Sequence, residues 1–155
     1  MNSKVVDYVV EEVTRQGHDV HVLDGIRRVG WMLDGWSYAI VCYNDHTEVP
    51  LIDHAISIGM LVERHTNKFG IRTCQVRVGS QVCPRPEKIN TLLVTLFEQQ
   101  DKLTPLEFYK AFEEIHPFED GNGRVGKILM CWLAGKLLDP FFPPSDLWGE
   151  PIRNP

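Results

Sequence analysis

The chain predicts an all-α fold, a helical bundle carrying one small β-hairpin. Apolar residues recur at three- and four-residue steps along most of its length. Helix start signals such as Thr104-Pro105-Leu106-Glu107 stand in front of those runs. The period shifts towards two around residues 70–83, where β-formers flank Gly79-Ser80. A length of 155 residues allows one domain with a real core and leaves little room for a second.

Composition narrows the class. The chain is 43% hydrophobic and 24% charged, as ordinary globular proteins are. Its net charge of −5 argues against a nucleic-acid or anionic-membrane partner, which would call for a basic surface. No run reaches the ~18 apolar residues of a membrane span. The acidic, periodic start MNSKVVDYVVEEV does not read as a signal peptide. Cys42, Cys74, Cys83 and Cys131 are scattered without a CxxC pair, which fits idle thiols in a reducing cytoplasm.

In chain order, residues 3–16 read as a helix with Ser3 as N-cap and Val6, Val9, Val10 and Val13 on one face. Gly17 ends it, and residues 1–19 form an N-terminal helix and linker. His18-Asp19-Val20-His21 reads as a polar linker, since no further ligand cluster stands beside it. Residues 20–43 form a long amphipathic helix through Val22, Ile26, Val29, Met32, Leu33, Trp36, Ala39, Ile40 and Tyr43. Its Gly25, Gly30 and Gly35 suit close packing by a neighbour. A helix over 48–66, capped by Thr47 with Pro50 in its first turn, is apolar nearly all round and so expected to be central. His54 and His65 on it read as hydrogen-bonded structural histidines.

After the hairpin, Pro84-Arg85-Pro86 opens a helix over 87–100, with Ile89, Leu92, Leu93, Leu96 and Phe97 inward. Thr104 and Glu107 predict a capping box for a helix running to Ile115, with Phe108, Ala111, Phe112 and Ile115 buried. Pro117 helps end it, so His116 falls at a helix C-terminus, which favours an imidazolium. Another helix runs from about Asn122 to Leu138. A proline- and aromatic-rich tail, 141–155, is expected to pack back on the domain.

The chemistry concentrates in residues 116–127, His-Pro-Phe-Glu-Asp-Gly-Asn-Gly-Arg-Val-Gly-Lys. His116 accepts a proton near neutral pH. Asp120 offers the hard oxygens that Mg²⁺ prefers. Gly121-Asn122-Gly123 lets main-chain N–H groups approach an anion at a helix N-terminus. Arg124 and Lys127 follow on one helical face. The hairpin is a connector or, through its free edges, a rail on which an extended segment adds as a strand.

This stretch resembles the signature of the Fic family, His-Pro-Phe-x-(Asp/Glu)-Gly-Asn-Gly-Arg-x-x-Arg. Every specified position from His116 to Arg124 matches, and Lys127 stands where the family has a second arginine. The family's hairpin flap is also matched, with Gly70-Ile71-Arg72 leading into Val76-Arg77-Val78-Gly79. The resemblance covers residues 20–140. It implies a helical bundle with a flap beside the active-site loop, and AMP transfer from ATP to a Ser, Thr or Tyr hydroxyl of a target protein. His116 would be the general base and Asp120 would hold Mg²⁺. Gly121, Asn122 (with its side-chain amide) and Gly123 would line the anion hole. Arg124 would take the β-phosphate and Lys127 the γ-phosphate, and Phe118 would anchor the loop in the core. Arg72, Val76, Arg77, Val78 and Gly79 would dock the target.

UMP, phosphocholine or phosphate transfer, and a non-enzymatic binding module, remain as alternatives. The family's inhibitory motif, Ser/Thr-x-x-x-Glu-(Gly/Asn), is missing, since no Ser or Thr has Glu four positions on. The expectation is an unrestrained chain, a separate antitoxin-like inhibitor or another mechanism. The setting is a cytoplasm, or a host cell into which the chain is delivered as an effector.

Overall fold

The protein is described by a computed structural model covering residues 1–149. Its helices are α1 (Ser3–Arg15), α2 (Leu23–Asn44), α3 (Ile52–Val62), α4 (Pro86–Glu98), α5 (Pro105–Ile115) and α6 (Asn122–Leu133). Strands β1 (Arg77–Val78) and β2 (Gln81–Val82) pair antiparallel, Arg77 opposite Val82 and Val78 opposite Gln81. The fold is therefore the expected helical bundle with a small hairpin. Gly79, at φ +59°, supplies the left-handed turn. No helix among the described residues is long and apolar enough to cross a membrane.

The central element is α6. Val125, Ile128, Leu129, Met130, Cys131 and Trp132 are all fully buried, with α2, α3 and α5 packed around them. That place was expected for the helix over 48–66. Instead α3 starts only at Ile52, after an extended approach through Pro50, and it leaves Leu51 and Met60 exposed. Thr47 caps nothing there; its carbonyl accepts from Trp132 Nε1 at 3.1 Å. His54 is structural, since its Nδ1 accepts the Leu51 N–H at 3.0 Å. Gly35 meets Val62, Ile58 and Ile128 side chains, while Gly30 faces open space. The first turn of α2 is less buried than its pattern suggested, with Val22 and Ile26 exposed.

Two further boundaries differ from expectation for local reasons. Asn2, not Ser3, caps α1, accepting the Lys4 N–H at 2.7 Å. The buried face of α1 is Val5, Tyr8, Val9, Glu12 and Val13, one residue round from the valine stripe read along the sequence. Helix α6 stops at Leu133 because Gly135 turns left-handed at φ +68°, and the Lys136 N–H closes on the Cys131 carbonyl at 2.8 Å. The capping box at α5 is present in both halves.

Of the tail read over 141–155, residues 150–155 lie outside the described residues. Its first two residues, Phe141 and Phe142, pack against α1. Phe142 stacks on Tyr8 with centroids 4.0 Å apart, and the Tyr8 hydroxyl donates to the Phe141 carbonyl at 2.9 Å. The Arg15 guanidinium lies 3.9 Å from the Phe142 ring centroid.

Phe118 fixes the loop before α6 by entering the core over Gly59 of α3. A Cβ at Gly59 would fall 2.3 Å from the Phe118 ring, which is itself almost fully buried. Gly59→Ala should therefore destabilise the fold by about 1–3 kcal/mol, as other overpacked cores are. Urea denaturation checks this; wild-type stability in the variant would mean that the ring does not depend on the notch.

Candidate active site

Three segments converge at the glycine-rich loop: the end of α5, the first turn of α6 and the start of the flap. His116 caps α5 in the left-handed region, φ 53° and ψ 61°. That conformation is uncommon for a residue with a Cβ, and it turns the imidazole out of the helix line. Nδ1 is buried without a hydrogen-bond partner. Burial first, and then the Arg72 charge, push His116 below the ordinary histidine range; the Glu113 main chain and Asp120 pull the other way. The helix end does not win, contrary to the imidazolium expected there. The neutral ring that results is the form able to accept a proton.

The N-terminus of α6 is open. Gly121, its N-cap at φ +79°, has no side chain to cap the first N–H groups, and no acidic residue stands in the first turn. Such an end attracts anions. Directly behind it lies Arg124, 2% exposed, whose Nη2 meets Glu63 Oε1 at 2.9 Å. Its Nε and Nη1 are buried with no partner. Buried guanidinium nitrogens are seldom left unpaired, so Arg124 keeps donors in reserve one turn behind the loop.

Asn122 differs from its expected role. Its Oδ1 accepts the Phe118 N–H at 2.8 Å and its Nδ2 donates to the Phe118 carbonyl at 2.9 Å. The side-chain amide is consumed in bracing the loop, so an anion would find only the main-chain N–H. Asp120 is half exposed; its Oδ1 accepts the Gly121 N–H at 2.7 Å and lies 3.7 Å from Arg124. Among the described residues no three potential ligands cluster as a metal cage. A single exposed carboxylate beside an anion hole does fit Mg²⁺ carried in on phosphate oxygens.

Arg72 is not on the docking surface of the flap. It is buried, and its guanidinium donates to the carbonyls of His116 (2.7 Å), Cys74 (2.9 Å), Pro84 (2.6 Å) and Ile115 (3.3 Å). Two of those acceptors are orphan carbonyls at the end of α5, and the other two flank the flap. Arg72 thus ties the flap to the histidine. Arg77, Val78 and Gly79 stand exposed at the tip, with Val76 half buried below them.

Lys127 is the largest departure. It is buried, with Nζ 2.7 Å from Glu12 Oε2 and 3.3 Å from the Tyr109 hydroxyl. Glu12 sits on α1, and Gln16 on the next turn donates to the same carboxylate at 3.0 Å. A Cβ on Gly123 would lie 3.4 Å from Gln16 Nε2. The end of α1 therefore overhangs the anion loop. No motif in the chain announces a restraining helix, yet a glutamate faces the residue at the second-arginine position.

Several contributors escaped sequence reading. Glu63 pairs with both Arg124 and Arg28, the latter at 2.7 Å. Asn67 donates to the carbonyls of Asp120 at 2.8 Å and Gly59 at 3.1 Å, joining loop to helix. His18 of the linker is pushed below its usual range by burial first and then by the charges of Arg28 and Arg124. Glu113, one turn before His116, is pushed up to about 7 by burial, with Lys127 opposing and Glu12 adding to the rise. The only available signal was that Glu12 interrupts the apolar face of α1; Glu63 and Asn67 lie at and beyond the end of α3 and carried none.

The model of the Fic/DOC family matches residues 52–134. The solved structure of Fic-1 from C. elegans is similar in fold, with a TM-score of 0.58 at 19% identity. The match covers 84% of this chain and 43% of that one, so the chain spans less than half the length of that relative.

The Glu113 carboxyl ties stability to pH. Between its ordinary 4.5 and about 7 the folded chain holds a proton that the unfolded chain has released. This group therefore makes stability fall as pH rises through that window. Glu113→Gln should remove the slope and gain roughly 1–3 kcal/mol over wild type at pH 8. Denaturation curves at pH 5 and pH 8 measure it; parallel behaviour of the two proteins would count against a protonated Glu113.

Proposed function

Since the chain belongs to the Fic/DOC family, we propose that it transfers AMP from ATP to a side-chain hydroxyl of a target protein. The reading is carried by one observation: an uncapped helix N-terminus backed by two unpartnered guanidinium nitrogens of Arg124, with a neutral histidine at the adjoining helix end. Positioning and charge stabilisation are most of what phosphoryl-type transfer asks of a protein.

In this mechanism the Ser, Thr or Tyr hydroxyl oxygen attacks the α-phosphorus. His116 Nε2 takes its proton as the new O–P bond forms. The bond from the α-phosphorus to the β-bridging oxygen breaks, and pyrophosphate leaves with the electron pair. Main-chain N–H groups of Asn122 and Gly123 hold the anion, joined by that of Gly121 once the Asp120 carboxylate releases it, and Arg124 turns its free nitrogens to the β-phosphate. Asp120 would hold Mg²⁺, which when bound neutralises the phosphate charge. The target segment lies along the flap beside Val76, Arg77, Val78 and Gly79, adding as a strand.

Lys127 would serve the γ-phosphate, but only after leaving Glu12. In this reading α1 restrains the enzyme from within the chain, and no separate inhibitor is required for it. Lysine brings a compact point charge where arginine would bring a fork.

Incubation with labelled ATP and Mg²⁺ in a cell lysate, followed by mass spectrometry, should find AMP on target hydroxyls, and His116→Ala should abolish the label. Label retained by His116→Ala would overturn the mechanism. The acid limb of the rate profile should lie below pH 6.5, since the histidine is displaced below that value. Glu12→Gln should raise the transfer rate while lowering stability by about 3 kcal/mol, because it leaves Lys127 buried without its counter-charge. A merely structural pair would lower both.

A further inference from the structure

Glycine at 123 leaves room beside the anion loop, and three helices send polar groups into it. A Cβ there would lie 3.4 Å from Gln16 Nε2 of α1, 3.8 Å from Lys127 Nζ of α6 and 3.8 Å from Glu113 Oε2 of α5. Side chains of a helix tilt towards its N-terminus, so this space lies at the rim of the open first turn of α6. The mechanism above uses the lysine and moves the α1 groups aside. It gives the acid no role.

Glu113 is an unusual group to find there. Its Oε1 is buried with no hydrogen-bond partner and packs on α6, 3.2 Å from where a Cβ on Gly126 would lie. Lys127 is close, but its Nζ is held by Glu12 at 2.7 Å. Two carboxyls thus face one ammonium, and Glu113 is the one left over. Burial pushes it up to about 7, against the pull of Lys127 and with Glu12 adding to the rise. From its own helix Tyr109 also faces it, a hydroxyl pushed far up by burial. On another side it lines a cavity of about 370 Å³ with His116, Glu114 and, from the flap, Cys83. The carboxyl therefore reaches the space of the active site and is not sealed in the core.

Withdrawal of α1 to free Lys127 would leave the lysine and Glu113 facing the space over Gly123. An outer phosphate entering there restores the negative charge that Glu12 took away, so the acid keeps its proton. A carboxylate would repel that phosphate, whereas a carboxylic acid donates an O–H to it.

We propose that Glu113 is a phosphate-binding acid, its O–H donating a hydrogen bond to an outer phosphate oxygen of the donor over Gly123. This rests on the nucleotide-transfer reading, and it sets an alkaline limit on donor binding beside the acid limit set by His116.

Calorimetric titration of the full chain, as wild type and as Glu12→Gln, with ATP and with AMP in Mg²⁺ at pH 6 and pH 8.5 tests it. In either background Glu113→Gln keeps a donor that does not ionise. It should match its parent for ATP at pH 6 and bind about tenfold more tightly at pH 8.5, where the parent's acid has lost its proton. Glu113→Met keeps the size without the donor and should lose about tenfold in ATP affinity at pH 6, on the scale of a hydrogen bond to a charged group. AMP has no outer phosphates, so neither substitution should change its affinity. An ATP affinity ratio between Glu113→Gln and its parent that is the same at both pH values would overturn the proposal, because the titration of ATP itself is common to both. Full ATP affinity in Glu113→Met at pH 6, or AMP responding as ATP does, would overturn it too and leave the transferase reading standing. If ATP binds neither wild type nor Glu12→Gln at either pH, the transferase reading falls and the role of Glu113 with it.

Discussion

Everything at this site depends on the seat of Phe118 over Gly59. The ring enters the core where α3 has no side chain, and that contact sets the depth of the loop. Asn122 then holds the Phe118 main chain from one side. Asn67 ties Asp120 back to the Gly59 carbonyl from the other. With the loop so pinned, the first turn of α6 faces a fixed point in space. Preorganisation of this kind is what lets N–H dipoles stabilise charge without moving first.

Arg72 extends the same frame to the hairpin. A two-stranded ribbon has little stability of its own. Here its feet and the end of α5 share one buried guanidinium, so flap and histidine are registered to each other. An acceptor segment aligned on the flap would thereby be aligned on His116 as well.

Much of this was legible from the sequence, because local rules governed it. The capping box at Thr104, the turn at Gly79-Ser80 and the apolar stripes of α4 and α5 are decided within a few residues. The signature identified the loop for the same reason. What could not be read were the ionic contacts that close the site over long separations. Glu12 and Lys127 stand 115 positions apart in the chain. A charge on an apolar face counts against a periodic pattern, so the valine stripe predicted for α1 falls one residue out from the face that buries Glu12. Arg72 and Asn122 depart from expectation for a related reason. Their types suit ligand binding, but their donors and acceptors are occupied by the backbone of the protein itself.

The left-handed cap of α5 has a wider meaning. Helices that end this way commonly do so on glycine, which adopts the conformation without steric cost. Histidine holds it here at an expense on the order of 1 kcal/mol or more. The position is thus a poor choice for the architecture and a good one for reactivity. If His116 is the base proposed above, its imidazole at so unfavourable a spot is a trade-off between durability and chemistry, written into a single pair of backbone angles.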